Sequence, residues 1–170
     1  MLIILGGLPA TGKTTLARLL AHRTGAVHVR VDTIEQALVR SGLTTHPVGP
    51  AGYVIGYALA EEHLRQGHTV IAESVNPLPI TRAAWREAAD RAGVPAVEVE
   101  VICSDPAEHR ERATTRVADI PGLPLPDWER ISRIAYEPWD GGQLSVDTAG
   151  RTAEESLADL LRGLPGGIRA

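Results

Sequence analysis

The chain has no phenylalanine, one methionine, one cysteine and, in 170 residues, a single lysine. Each scarcity excludes something. With no Phe and only three Trp and three Tyr, any core must be filled by Leu, Val, Ile and Ala. One cysteine, Cys103, rules out an internal disulfide and fits a reducing compartment. It ends the apolar run Val97 to Cys103 and is expected to be a buried, inert thiol. No apolar run approaches membrane-spanning length, so no membrane partner is expected. The opening Met1-Leu2-Ile3-Ile4-Leu5 has no cationic start and stops at glycine, which does not read as a signal peptide. A cytoplasmic protein is the expectation. The net charge of -4 supplies no broad basic field, which argues against duplex nucleic acid as a partner. Six histidines show no metal-ligand spacing, and no Ser/His/Asp set is apparent. The length fits one domain with one core.

Against that background the lone lysine is informative. The other 16 basic residues are arginine, so arginine served wherever a positive charge alone was wanted. Lys13 sits in Gly7-Leu8-Pro9-Ala10-Thr11-Gly12-Lys13-Thr14, which matches G-x-x-x-x-G-K followed by Ser or Thr. In this phosphate-binding loop a slim ammonium slips under the backbone, where a planar guanidinium is too wide. Main-chain amides from Pro9 to Thr15 would cradle phosphates, Lys13 would reach the β and γ phosphates, and the Thr14 hydroxyl would hold magnesium. The flanks agree with the motif: Leu2 to Leu5 reads as a buried strand, and Leu16, Leu19 and Leu20 recur at helical spacing behind the loop. The plain alternative is a glycine-rich strand-to-helix turn in an unrelated α/β protein.

Strand and helix signals alternate along the rest of the chain, which predicts a parallel sheet covered by helices. Further strands are expected at Ala26 to Val31, Thr69 to Ala72, Val97 to Cys103 and Gln143 to Val146. Helices are expected from Thr33, with Gln36 in capping-box spacing, and at Tyr53 to Arg65, Thr81 to Ala92 and Ala107 to Thr115. Trp128 to Tyr136 predicts a short helix, Thr152 with Glu155 caps a last one, and the tail from Gly163 is expected to fray. Asp119 to Pro126 is proline-rich and irregular. In such sheets ligands collect at the carboxyl ends of the strands, so functional residues should follow each apolar run.

Asp32 ends the second run. It fits a carboxylate that accepts the proton of an acceptor hydroxyl, and it also fits a helix N-cap. Glu73 ends the third, as a magnesium-organising carboxylate or a strand-end charge facing solvent. Ser74 and Asn76 follow it, as acceptor contacts or as turn formers ahead of Pro77. Arg112 and Arg116 are four apart and share a helical face, suited to closing over phosphates or to pairing with Glu108 and Glu111 in solvent. Trp85, Trp128 and Trp139 read as packing, although the last two flank the arginine-rich segment.

Taken together, these stretches resemble the phosphate-loop (P-loop) kinases of the adenylate-kinase-like group. More narrowly they are similar to bacterial small-molecule kinases near chloramphenicol phosphotransferase, adenylyl-sulfate kinase, gluconate kinase, zeta-type toxins and the kinase half of polynucleotide kinase. The resemblance is carried by Gly6 to Thr15, Val29-Arg30-Val31-Asp32, Val70 to Pro77, His109 to Arg112 with Arg116, Trp128 to Trp139, and Val146-Asp147-Thr148. It implies a three-layer α/β fold in which residues 1–170 form one domain. Its sheet would be five-stranded and parallel, in the order 2-3-1-4-5, with helices on both faces and a helical lid over residues 107–140. It implies catalytic roles for Lys13, Asp32, Arg112 and Arg116, and a nucleotide-base pocket near Asp147 and Thr148, with Arg112 also on the nucleotide. Glu73 stands where many relatives have aspartate, and a longer side chain can act on magnesium through a bound water.

The expected function is therefore transfer of the γ-phosphoryl group of ATP, with Mg2+, to a hydroxyl of a small metabolite or antibiotic. A nucleoside or nucleic-acid end kinase shares all of this chemistry. A nucleotide-gated ATPase or switch acting on a protein partner is the alternative of another class. Acceptor identity and oligomeric state are not encoded in any of these motifs.

Overall fold

A computed structural model describes residues 1–166. Five strands form the sheet: β1 (Leu2–Gly6), β2 (Val27–Arg30), β3 (Val70–Glu73), β4 (Ala96–Ile102) and β5 (Leu144–Asp147). All neighbours are parallel and the order is β2-β3-β1-β4-β5. The helices are α1 (Lys13–Thr24), α2 (Val31–Arg40), α3 (Ala51–Arg65), α4 (Pro79–Arg91), α5 (Pro106–Thr115), α6 (Trp128–Ser132) and α7 (Ala153–Gly163). The expected P-loop-type sheet with helices on both faces is what the chain forms.

Side chains alternate across a strand, so a central parallel strand must be apolar on both faces. In β1 every residue from Leu2 to Leu5 is fully buried. Ile3 and Leu5 face one layer, with Val99, Val101 and Val146 of the sheet under Leu16 and Leu20 of α1 and Leu157 and Leu160 of α7. Leu2 and Ile4 face the other, with Val70 and Ala72 against Ala60 and Leu64 of α3 and Trp85 and Ala89 of α4. Trp85 is the one large aromatic of the core: fully buried, its ring meets Tyr57 edge-on at 4.5 Å and its Nε1 donates to Asn76 Oδ1 at 3.1 Å. Truncating it to Ala removes roughly 3–5 kcal/mol.

Register places the site. Leu5, Glu73 and Arg30 lie side by side across β1, β3 and β2, so the loops that leave these strands start from one sheet edge. Among the described residues no helix is long and apolar enough to cross a membrane.

Four local expectations need correction. The second helix starts at Val31, with Arg30 as its N-cap and no side-chain cap bond, so Thr33 does not cap it and Asp32 lies in its first turn. The strand runs straight into the helix, leaving no loop in which a capping side chain can turn back. The helix at Trp128 ends at Ser132, not Tyr136. Beyond it the Arg82 guanidinium captures the carbonyls of Glu137 and Pro138, both at 3.1 Å, and holds the chain open against α4. The chain does not fray at Gly163, because Leu164 packs into the core; Gly167, also expected to fray, lies outside the described residues. Cys103 falls just past β4 and is half-buried rather than enclosed.

Candidate functional site

The loop between β1 and α1 is shaped by contacts only glycine allows. Gly7 has φ +140, and a Cβ there would lie 2.1 Å from the Val101 carbonyl oxygen. Gly12, at φ +96, opens α1, and no side chain caps that helix. Its first-turn amides therefore point at a ligand position with the positive end of the helix dipole behind them. Ala10 adopts φ 68, a left-handed conformation that costs a residue with a Cβ roughly 1–2 kcal/mol. That strain is held by the loop and aims successive amides inward.

Lys13 is 7% exposed and its Nζ donates to the Leu8 carbonyl at 2.7 Å. Burial pushes its ammonium down to about 8, against the opposing pull of Glu73 and Asp32. A bound phosphate supplies a counter-charge that would raise it again. Beside it, the Thr14 hydroxyl donates to Glu73 Oε1 in a short hydrogen bond, and His28 Nε2 lies 2.8 Å from Glu73 Oε2. Burial alone would raise the Glu73 carboxyl. The bonds from His28 and Thr14 and the charges of Lys13 and Arg30 outweigh it and hold Glu73 below its ordinary value. Glu73 is thus an ionised carboxylate, 2% exposed, pointed at the loop lysine and threonine.

A hydroxyl and an ionised carboxylate are hard oxygen donors of the kind magnesium takes. Among the described residues no group of three His, Cys, Asp or Glu is placed to hold a metal by itself.

Asp32 sits one step beyond the β2 edge, 44% exposed at its side chain, with Arg30 Nη2 3.3 Å away. It lies in the first turn of α2. Arg30 reaches three carboxylates: Asp32, Glu73 Oε1 at 3.8 Å and Asp119 Oδ2 at 2.6 Å. Burial would loosen its proton, but Asp119, Glu73 and Asp32 reverse that and raise its affinity for it. Asp119, which also pairs with Arg18, is pulled down to about 2, chiefly by the Arg30 hydrogen bond.

The two arginines expected to act together occupy different places. Arg112 lies against the end of β5: Nη1 donates to Thr148 Oγ1 at 2.7 Å, and Nη2 to the Thr148 carbonyl at 2.9 Å and to Glu108 at 2.5 Å. Arg116 ends α5, with Nη2 donating to the Pro126 carbonyl at 3.2 Å and Nε buried without a partner. Burial lowers its proton affinity, against the attraction of Asp32. Its divergence follows from the helix ending at Thr115, which leaves Arg116 extended.

Pro9, Ala10, Gly12, Lys13, Thr14, Thr15, Asp32, Glu73, Arg112, Arg116 and Thr148 line one cavity of about 830 Å³. Gly7, Thr11 and Asp147 shape its walls without lining it. Thr11 Oγ1 bonds back to Leu8 at 2.9 Å, and Asp147 Oδ1 accepts from the Ser104 and Ala149 amides at 3.0 and 3.1 Å. Ser74 lines the cavity. Asn76 does not; it is fully buried at φ 50 and serves Trp85. Trp139 packs under the loop strand, where a Cβ on Gly6 would come within 2.3 Å of its ring.

Several residues went unassigned by motif reading. Arg30 and His28 are two apart on β2, hence on one face between valines, and that alternation was the available signal. His109 Nε2 lies 2.8 Å from the Pro9 carbonyl, tying α5 to the loop across 100 positions. Asp119 and Glu35 carried no sequence signal.

Comparison with known proteins agrees with this fold. A family model described as an AAA domain matches residues 2–133. No curated protein matches the chain closely enough to count as a relative. Among solved structures, the APS kinase of Mycobacterium tuberculosis in complex with AMPPNP and APS superposes with a TM-score of 0.70, at 16% identity over 95% of each chain. Kti12 of Chaetomium thermophilum with ADP-AlF3 gives 0.69, at 20% identity over 98% of this chain and all of the other. A gluconokinase from Sinorhizobium meliloti gives 0.61, at 18% identity over 94% and 91%. At these identities the likeness is one of fold.

Proposed function

The chain belongs to the AAA-domain family whose model spans residues 2–133, and from that premise we propose that it is an ATP- and magnesium-dependent kinase acting on a hydroxyl of a small molecule. The reading rests on one observation: a phosphate loop, an ionised Glu73 beside Thr14, the half-exposed Asp32 and the Arg116 guanidinium with its unpartnered Nε all line one cavity.

In this reading the N–H groups from Ala10 to Thr15, on a loop shaped by Pro9, hold the triphosphate together with Lys13, and Arg112 with Thr148 and Asp147 sets the base side. Thr14 and Glu73 would hold magnesium, which supplies charge neutralisation on the β and γ phosphates. Asp32 accepts the proton as the acceptor oxygen bonds to the γ phosphorus and the bond to the β-phosphate oxygen breaks, releasing ADP. Arg116 has an unpartnered Nε to offer a γ-phosphate oxygen, and it offsets charge in the transition state. Residues 107–140 act as the closing segment that excludes water, a competing acceptor.

The test is a panel of metabolites and antibiotics scored by mass spectrometry for a phosphate adduct, with wild type beside Asp32→Asn. Loss of transfer with retained ATP affinity is expected. If ATP binds and ADP release responds to no hydroxyl compound, the kinase reading fails. An Asp32→Asn protein with unchanged hydrolysis would point instead to a nucleotide-gated switch.

A further inference from the structure

On the acceptor side of the cavity, and resting on the kinase reading above, we propose that the phosphorylated molecule is an amphiphilic amino alcohol whose ammonium is held by Glu35 while its hydroxyl faces Asp32. Asp32 and Glu35 are three apart in α2 and so share a face, and both line the cavity. The other acids of the cavity are engaged: Glu73 by His28 and Thr14, Asp119 by Arg18 and Arg30, Asp32 by Arg30. Among the described residues Glu35 makes no hydrogen bond and no ion pair.

Its room is built for it. A Cβ on Gly52 of α3 would lie 2.4 Å from Glu35 Cγ and 2.8 Å from Oε1. Gly52 is the second residue of α3, and the Cβ it lacks leaves the space that the Glu35 side chain occupies. Burial, then the charge of Asp32, push the Glu35 carboxyl up to about 7. Tyr53 of α3 faces the same pair with its hydroxyl held neutral by burial. A carboxylate in this setting lacks one thing, a cation: Arg30 is committed to three carboxylates, Lys13 to the phosphate loop, and Arg116 donates to the Pro126 carbonyl rather than to Glu35.

Two further features give the acceptor its shape. The Ser74 hydroxyl is 95% buried or better, has no hydrogen-bond partner and lines the cavity, so it offers a contact to a second polar group. Pro47, Val48, Val75, Leu123 and Pro124 supply an apolar wall for a carbon body. Among the described residues no cation pairs with Glu35, so an acceptor bearing a carboxylate, a sulfate or a phosphodiester at that position would meet a second acid. The same charges oppose a nucleic-acid end.

The experiment is calorimetry on the full chain with Mg2+ and a non-hydrolysable ATP analogue, using three matched probes. These are 3-amino-1-phenylpropan-1-ol, the neutral 1-phenylpropane-1,3-diol and 3-hydroxy-3-phenylpropanoate. The amine is expected to bind about tenfold more tightly than the diol and more tightly still than the acid. Glu35→Gln should bring the amine-to-diol ratio to near one, a ratio that a general folding defect would not change selectively. Gly52→Ala, which keeps every charge, should lower the amine affinity as well. Equal or tighter binding of the diol or acid, undetectable amine binding, or a ratio unmoved by Glu35→Gln would overturn the proposal. The kinase reading fails separately, if the amine binds and ATP still yields no phosphate adduct.

Discussion

The two halves of the cavity are held in shape by different physics. The nucleotide half is set mostly by backbone: Gly7 against Val101, the open N-terminus of α1, and Thr148 Oγ1 within hydrogen-bond reach of both the Thr11 and Ile102 carbonyls at 2.9 and 3.0 Å. The acceptor half is set by long polar side chains reaching between elements: Arg30 to Asp119, Glu35 over Gly52, and Gln36 to the Pro121 carbonyl at 3.4 Å. A backbone-built site fixes one ligand shape, because each amide is placed by the fold. A side-chain-built site can change its ligand by single substitutions while the fold stays intact. On the proposed reading, the half that would supply the phosphoryl group is therefore constrained, and the half that would receive it is free to vary.

The strongest test of this contrast is Lys13→Met. It should abolish measurable nucleotide-dependent turnover and weaken ATP binding by more than any acceptor-side change, as read by calorimetry. It should also raise the melting temperature of the nucleotide-free protein. The sign follows from the depressed lysine: the folded chain binds this proton less firmly than the unfolded one, so the charged ammonium destabilises the fold below pH 8, and the penalty fades from about 8 to 10.5. The gain at neutral pH is up to about 3 kcal/mol. A lower melting temperature would show that Lys13 is a structural residue.

Next in size, Asp32→Asn should lower kcat by about 10²–10⁴ with ATP affinity unchanged. A comparable loss of ATP binding would erase the division between the halves. Then Arg112→Ala and Arg116→Ala should separate. The first should raise the KM for ATP, and the second should mainly lower kcat, each on the order of tenfold. Identical phenotypes would mean that the two arginines act as one unit.

The smallest effect concerns Asp119, a side chain about a third exposed. Its folded carboxyl is depressed to about 2, so its contribution is present above the unfolded value of 3.8 and lost as pH falls from there towards 2. Discounted for solvent screening, it is about 1 kcal/mol. Asp119→Asn should therefore lower stability at pH 6 and flatten its decline in acid, as followed by denaturant titration. A variant with the same acid limb as wild type would detach Asp119 from Arg30.

This division also explains what could be read from sequence. The phosphate loop, the strands and the capping box at Thr152 with Glu155 were legible because each is a local pattern with a local cause. Asp105, whose carboxylate accepts from the Ala107 and Glu108 amides at 2.8 and 3.2 Å, caps its helix through the same kind of local bond. Thr33 failed as a cap because the strand-to-helix junction had no loop, a tertiary fact. Arg30 and Asp119 are 89 positions apart, and Glu35 meets Gly52 only because α2 and α3 pack. No local rule links such pairs. The helical spacing of Arg112 and Arg116 was sound, but the helix stopped between them.

The stretch from Val117 to Pro126 is moored on both sides. Upstream, His109 holds the Pro9 carbonyl; downstream, Arg82 grips residues 137 and 138, and the Glu137 amide donates to the Pro77 carbonyl at 2.8 Å. Past that mooring, Val146, Leu157 and Leu160 lie deep in the main apolar layer. The covalent link across this stretch is thus not what keeps the two ends of the polypeptide together. A molecule cut there by a protease would migrate as one body under native conditions and separate into two fragments only in denaturant, so the two pieces made apart are natural partners for reassembly.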